Sequence, residues 1–478
     1  MVHDMKKGIF TLVWLLSTTC AVQAQEHPDS TESPHPWRAV GEVALANGMI
    51  HLTGRYLMNE PYAKTTLHSI RRNLNSGFLW DDDNFLLNHV GHPTEGTLYY
   101  NAARSNGMNF WQSLPFVFAG SLMWEMAGER EKPSINDMIT TTVVGAGLGE
   151  VTHRLAGRII REQEHGPRRF FREVSAALIN PAQGFNRLVT GRAWKIRHDN
   201  RAALEEHDGH PADEKADDDS DAPRLMLGGS YLAASDDFQN GRVLPFFAFS
   251  IDYGQAADGE QHHIPYDFFT GEAALNFGKG QPFASHLQVT GRLCSMPIAD
   301  NRQMVGELGL YQFFDYENYE LKDSTHTAPF PYGEMASVGP GITLVMPQLT
   351  PVLSAEQRFY VKGIVLGASK TDYYHVDKRS YNYGSGYGSA MMSRLKWQKV
   401  GMVQLDADFL HLYTISDKWG DRGDTRILSL GLKVRASLSQ SLSLMIGAIR
   451  VSRHSHYRTH PSHSVSCYQL ETALQLEL

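Results

Sequence analysis

The sequence predicts an α + β protein in which an N-terminal helical domain precedes an antiparallel transmembrane β-barrel of about twelve strands. Three observations predict this fold class. Apolar residues repeat with helical spacing before residue 200, they alternate with polar residues after residue 224, and a charged segment separates the two regions. The 478 residues suffice for two domains, and the net charge of −8 argues against a nucleic-acid-binding protein.

The first 24 residues have the features of a signal peptide. Lys6 and Lys7 precede an apolar run over residues 8–16, and small residues follow as far as Ala24. A charged start, a short apolar stretch and a small-residue cleavage site are typical of secretory signals. The sequence therefore predicts residues 1–24 as a signal peptide and an exported mature chain.

Residues 38–200 are predicted to form a helical domain. Ser134 and Asp137 have the spacing of a capping box, so a long helix is expected to begin there. Pro93 predicts the start of a shorter helix, because proline is favoured at the first helical position. The acidic run 81–83 predicts another helix start, since carboxylates stabilise helix N-termini.

A charged linker is predicted over residues 201–223. Residues 205–221 contain no apolar side chain larger than alanine. Such a segment cannot bury enough apolar surface to fold by itself. The linker therefore separates the helical domain from a second domain over residues 224–478.

Residues 224–478 show the two-residue period of β-strands in about twelve segments. The clearest is 428–438, where apolar residues alternate with Ser429, Lys433 and Arg435. Many of the predicted strands have ten or more residues, and charges on the polar face suit a wet lumen better than a dry core. The predicted connections are short near 399–401 and 439–441 and long near 316–334, 370–387, 416–424 and 454–463. Connections near 254–265 and 347–355 are longer than this alternation predicts.

These features together predict a barrel in an outer membrane. A closed sheet satisfies every backbone group without an exposed edge, so it can lie in lipid. The expected location is the outer membrane of a diderm bacterium, where the barrel contacts lipid and the helical domain lies in the periplasm. Twelve strands leave a narrow lumen.

A combination of polar and small residues distinguishes residues 40–165. It includes Asn88-His89, His92-Pro93, Arg104-Ser105-Asn106-Gly107, Trp124-Glu125, Ser134-Ile135-Asn136-Asp137 and Gly149-Glu150. In these residues the chain resembles an uncharacterised bacterial envelope family, the domain-of-unknown-function family number 3943. The resemblance implies an envelope location and a unit in which these residues act together. It implies no particular activity.

Six residues of the helical domain are candidates for a catalytic site. They are His89, His92, Glu95, Arg104, Glu125 and Glu150. Imidazole and carboxylate groups serve acid–base chemistry, and the three-residue spacing of His89, His92 and Glu95 also suits metal coordination. A structural alternative has His92 capping a helix and His89 bonding to loop carbonyls. Arg104 and Glu150 likewise fit either a buried structural network or an acid–base site.

Three functions remain open from the sequence, and the cofactor is unknown. The first is a non-enzymatic envelope protein whose helical domain docks on or gates the barrel, or binds a periplasmic protein partner. The second is an outer-membrane enzyme that acts on lipid or glycan through the six candidate residues. The third is a small-solute channel, which requires an open lumen.

Overall fold

A computed structural model describes residues 33–195, 222–278, 283–320, 330–373, 380–416 and 422–478. These residues form two compact units, a helical unit within residues 23–217 and a barrel unit within residues 218–478. The predicted signal peptide and most of the predicted linker lie outside the described residues. None of the described helices is both long and apolar enough to traverse a lipid bilayer.

The helical unit contains seven α-helices within residues 33–195. They are α1 (Pro36–Leu52), α2 (Leu67–Asn75), α3 (His92–Arg104), α4 (Phe110–Met123), α5 (Ile135–Ile159), α6 (Gly166–Ile179) and α7 (Pro181–Val189). Single π-helical turns, Thr53–Leu57, Leu87–Gly91 and Trp124–Gly128, adjoin three of them. The prediction that a helix begins at residue 81 is wrong, because residues 81–84 are irregular and the helical turns begin at residue 85. The Asp81 carboxylate there accepts hydrogen bonds from side chains instead of capping a helix.

Helices α3 and α5 run in the same direction and touch at two glycines. A Cβ on Gly96 would lie 1.9 Å from the Thr141 carbonyl oxygen, and a Cβ on Gly145 would lie 2.5 Å from the Gly96 Cα. Only glycine permits this approach of two backbones. The contact therefore fixes which residues of α3 face which residues of α5, and it brings the N-terminal ends of both helices together.

The barrel unit is a closed antiparallel barrel of twelve strands, which confirms the predicted fold class. The strands are β1 (Arg224–Ala234), β2 (Arg242–Tyr253), β3 (Phe269–Asn276), β4 (Ala284–Asp300), β5 (Val305–Asn318), β6 (Pro331–Thr350), β7 (Leu353–Lys370), β8 (Tyr381–Trp397), β9 (Gly401–Thr414), β10 (Gly423–Ser437), β11 (Leu442–Tyr457) and β12 (His463–Glu477). Strand β1 pairs with β12, so no edge remains open.

The connections of the barrel alternate in length, as predicted. At the end where β1 begins and β12 ends, residues 301–304, 351–352, 398–400 and 438–441 form short turns. The long connection predicted near 347–355 is therefore wrong, whereas residues 254–268 are a long connection at this end. The connection predicted to reach residue 387 is also too long, because β8 begins at Tyr381.

The outer surface of the barrel is apolar and its lumen is charged. Leu428, Leu430 and Leu432 of β10 are each 40–44 % exposed on the outside. The next residue, Lys433, points inward, where its Nζ lies 2.8 Å from the Glu272 carboxylate. A water-soluble β-sandwich would show the opposite pattern, with a polar outer surface and an apolar interior. This distribution is that of a transmembrane barrel.

Candidate functional site

Five ionisable residues converge at the N-terminal ends of α3 and α5. We call this set the acidic cluster; its members are Asp81, His92, Glu95, Glu125 and Asp137. His92 and Glu95 begin α3, Asp137 lies in the first turn of α5, and Glu125 lies in the π-helical turn after α4. Four carboxyl groups thus surround a single imidazole.

The imidazole of His92 lies at the centre of the acidic cluster. Its Nε2 is 3.4 Å from Asp137 Oδ1, and its Nδ1 is 3.7 Å from Glu95 Oε2. Both separations exceed a normal hydrogen bond. Burial opposes the charge of His92, but Asp137 and Glu95 together raise the pKa of this imidazole well above its usual value.

Asparagine side chains hold the two aspartates of the acidic cluster in place. Asn88 Nδ2 and Asn136 Nδ2 donate hydrogen bonds of 2.9 and 2.8 Å to Asp81 Oδ1. Asn136 Nδ2 also donates to Asp137 Oδ1 at 2.7 Å. Burial, reinforced by Asp81 and Glu125 and opposed by His92, raises the pKa of Asp137 well above its usual value.

Glu125 completes the helix start that the sequence predicted for α5. The Ser134 hydroxyl accepts a hydrogen bond from the Asp137 N–H, as in a capping box. The Asp137 side chain would accept the second bond of that motif, but the Ser134 N–H donates instead to Glu125 Oε2 at 2.6 Å. Asp137 is therefore free of the capping role and faces His92. Glu125 is 1 % exposed, and its Oε1 accepts no hydrogen bond from the described residues. Burial raises the pKa of Glu125 to about 7.

His89 is placed differently from His92. Its ring stacks on Phe85 at 3.8 Å between centroids, and its Nδ1 lies 3.0 Å from the Phe85 carbonyl oxygen. Burial lowers the pKa of His89 to about 3, so the imidazole is neutral. This arrangement agrees with the structural alternative for His89, in which the ring bonds to a nearby carbonyl.

Arg104 and Glu150 form a second buried network at the other end of the same helices. We call this network the arginine cluster; it comprises Tyr100, Arg104, Glu150 and Arg154. Arg104 Nε and Nη2 donate to the two oxygens of Glu150 at 2.7 and 2.9 Å, and Tyr100 Oη donates at 2.6 Å. Arg154 Nε lies 2.9 Å from Glu150. Although burial opposes it, Arg104 and Arg154 lower the pKa of Glu150 far below its usual value.

The six predicted site residues therefore divide into separate groups. His92 and Arg104 are twelve positions apart on α3, a distance of about 18 Å along the helix. The acidic cluster contains His92, Glu95 and Glu125, whereas Arg104 and Glu150 belong to the arginine cluster. The sequence did not indicate Asp81 and Asp137 as site residues, because both have the positions of helix-start residues. One signal could have indicated Asp137 as a site residue: a capping box usually has Glu or Gln at the third helical position, and here that residue is Asp.

Ion pairs cross the barrel lumen between opposite walls. Arg394 Nη1 of β8 lies 3.2 Å from Asp252 Oδ2 of β2, and these strands are six apart in either direction around the ring. Lys433 of β10 reaches Glu272 of β3, as described above. Ion pairs therefore connect opposite walls of the barrel, and they divide the lumen into segments along the barrel axis.

Two further features fill the lumen. At the long-loop end, buried apolar residues from opposite walls, including Leu232, Tyr332 and Ile364, form one cluster. At the other end, residues 254–268 fold inward, so that Phe268 packs against Tyr311 and Tyr360. A cavity of about 190 Å³ remains between them, lined by charged residues that include Asp252, Glu272, Arg358, Lys362, Arg394 and Lys433.

The helical unit matches a known family model. Residues 77–182 match the family described as a domain of unknown function, DUF3943. The resemblance predicted from the sequence is thus confirmed, although the match begins later and extends further than residues 40–165. The matched segment contains both the acidic cluster and the arginine cluster.

Solved structures with a similar barrel share little sequence with this chain. The NanC porin is 11 % identical, covering 53 % of this chain and 100 % of that chain, with a TM-score of 0.27. The CymD monoaromatic hydrocarbon channel is 10 % identical (58 % and 91 % covered, TM-score 0.21). The Acinetobacter baumannii outer membrane protein Omp33 is 6 % identical (55 % and 100 % covered, TM-score 0.22). No curated protein matches the chain.

The chain is an outer-membrane-type β-barrel protein in which residues 77–182 match the DUF3943 family model. This statement follows from the closed ring of twelve strands, the apolar exterior and the charged lumen. Such a surface is stable only where lipid surrounds it, and closed antiparallel barrels of this kind span outer membranes.

Proposed function

We propose that the chain is a non-conducting outer-membrane anchor that presents its helical domain to the periplasm, where the domain binds a periplasmic partner. The single observation that carries the anchor role is the occupied lumen. Opposite walls are joined by Arg394–Asp252 and Lys433–Glu272, and an apolar cluster fills the long-loop end. A lumen occupied in this way gives hydrated solutes no continuous path among the described residues.

The direction of the chain supports the periplasmic side for the helical domain. Strand β1 begins at the barrel end that carries the short turns 351–352, 398–400 and 438–441. Outer-membrane barrels have short periplasmic turns and longer extracellular loops. The start of β1 at this end therefore supports a periplasmic position for the helical domain.

Conductance in a planar lipid bilayer tests the anchor role. We expect the full chain to insert without steady conductance steps. The matched variant replaces Arg394 and Lys433 with serine, which removes the transverse ion pairs; it should also stay closed, because the apolar cluster and the inward-folded residues 254–268 still occupy the lumen. Both proteins are first checked for heat-modifiable migration, which reports a folded barrel. Steady open steps from the unmodified chain would contradict the proposal and favour the small-solute channel.

Cysteine labelling in intact cells tests the placement of the helical domain. Gln163→Cys places a thiol on an exposed residue of the helical unit, and Ser462→Cys places one on the connection between β11 and β12, at the barrel end opposite the start of β1. A membrane-impermeant maleimide should label Ser462→Cys in intact cells and Gln163→Cys only after the outer membrane is permeabilised. The unmodified chain, in which Cys467 is buried, gives the background. Labelling of Gln163→Cys in intact cells would contradict the periplasmic placement.

A further inference from the structure

We propose that Asp81, His92 and Asp137 bind a divalent transition-metal cation of the zinc type. One ligand atom of each residue lies within 4.8 Å of the ligand atoms of the other two. An imidazole nitrogen and carboxylate oxygens are ligands that Zn²⁺ accepts. The imidazole distinguishes this set from the all-oxygen sites that suit Ca²⁺ and Mg²⁺.

The distance between His92 and Asp137 fits two ligands of one ion. Nε2 and Oδ1 are 3.4 Å apart, which is too long for a normal hydrogen bond. Two ligands bound to tetrahedral zinc at about 2.0–2.1 Å are separated by about 3.3–3.4 Å. His92 is buried, and its Nε2 has no hydrogen-bond partner among the described residues. The nitrogen therefore lies beside Asp137 Oδ1 without bonding to it.

The residues around the three ligands have the arrangement of a supporting shell. Asn136 Nδ2 donates to both Asp81 Oδ1 and Asp137 Oδ1, so one amide fixes the spacing of two carboxylates. Asn88 Nδ2 fixes Asp81 from a second direction at 2.9 Å. Ligating carboxylates in metal sites are oriented by such hydrogen bonds.

The charge of the acidic cluster also favours a cation. Four carboxyl groups face one imidazole in a buried region, and Glu125 Oε1 accepts no hydrogen bond from the described residues. Buried negative charges are normally paired or bound to metal. A divalent cation would offset two negative charges at the position where the cluster lacks positive charge.

Metal analysis of the full chain in detergent tests this site. The chain is purified without chelator, its metals are measured by mass spectrometry, and Zn²⁺ binding to the chelator-treated protein is then measured by calorimetry. We expect about one equivalent of zinc. His92→Gln and Asp137→Asn should each weaken zinc binding at least about 100-fold, because loss of a supporting residue alone commonly costs 10–100-fold. His165→Gln, an exposed histidine of the same unit, is the matched control and should bind like the unmodified chain.

Thermal unfolding of the unmodified chain tests the site if the variants do not fold. Zn²⁺ should raise the melting temperature of the chelator-treated chain, since a ligand that binds only the folded state stabilises it. Mg²⁺ should not. The proposal is wrong if the unmodified chain shows neither zinc binding nor a shift, or if His165→Gln loses binding as His92→Gln does. Barrel conductance has no part in these measurements, so this proposal and the anchor role fail independently.

Discussion

The two ends of the α3–α5 pair carry buried ionisable residues in opposite balance. At the C-terminal ends, the arginine cluster surrounds one carboxylate, Glu150, with two guanidinium groups and a tyrosine hydroxyl. At the N-terminal ends, the acidic cluster surrounds one imidazole, His92, with four carboxyl groups. Both groups are buried by the same two helices, so the difference lies in charge and in hydrogen bonding.

This difference distinguishes the arginine cluster, a structural network, from the acidic cluster, a candidate binding site. Both oxygens of Glu150 accept short hydrogen bonds from residues that cannot lose their charge. The acidic cluster instead retains two buried polar atoms, Glu125 Oε1 and His92 Nε2, that make no hydrogen bond to any described residue. A satisfied network fixes a fold, whereas unsatisfied buried groups require a proton, water or a ligand.

The largest expected effect comes from removing a carboxylate at the arginine end. Glu150→Gln leaves Arg104 and Arg154 buried beside each other without an opposing charge. We expect the free energy of unfolding of the helical unit to fall by about 3–5 kcal/mol. Urea unfolding of the full chain in detergent, followed by tryptophan fluorescence in chelator-containing buffer, measures this change.

The matched variant at the acidic end is Glu125→Gln. The amide retains an oxygen that can accept from the Ser134 N–H, and it removes one charge from an acid-rich region. In the same buffer, the free energy of unfolding should change by less than about 1 kcal/mol. Similar losses in Glu150→Gln and Glu125→Gln would show that the two clusters do not differ in charge balance.

The next largest effect comes from separating α3 and α5 where they touch. In Gly96→Ala, the new methyl group overlaps the Thr141 carbonyl, so the helices must move apart. We expect a loss of about 3 kcal/mol in the free energy of unfolding, because backbone atoms cannot yield as side chains do. Gly157→Ala is the control: its Cβ meets no atom within 4 Å, and alanine should stabilise α5 by up to about 1 kcal/mol. An equal response of the two variants would contradict the close crossing.

The barrel was more predictable from sequence than the acidic cluster. Alternation is a local property, so all twelve strands were found, including 428–438, which overlaps β10 as far as Ser437. The error at β8 has a physical cause. Glycines such as Gly386 resemble loop residues, but here a Cβ would lie 1.8 Å from the His411 carbonyl oxygen of the neighbouring strand. Glycine in that strand permits close approach of two backbones.

The acidic cluster depends on contacts that no local pattern contains. His92 and Asp137 are 45 positions apart, and only the Gly96–Gly145 crossing brings them together. The sequence predicted three of the five members because imidazole and carboxylate groups serve acid–base chemistry. It assigned Asp81 and Asp137 to helix starts. It also grouped Arg104 with His92, although twelve positions on one helix already separate them by about 18 Å.

The smallest expected effect is the pH dependence that His89 gives to the free energy of unfolding. It tests whether His89 lies outside the acidic cluster. Burial lowers the pKa of His89 from 6.5 to about 3, so below pH 6.5 the unfolded chain binds a proton that the folded chain does not. This contribution to stability is present above pH 6.5 and is lost as the pH falls toward 3. Between pH 6.5 and 5.5 we expect the free energy of unfolding to fall by about 1 kcal/mol more in the unmodified chain than in His89→Gln. Urea unfolding at the two pH values, with chelator present, measures the difference. Parallel pH dependence in both proteins would mean that His89 is charged in the folded chain and belongs with His92.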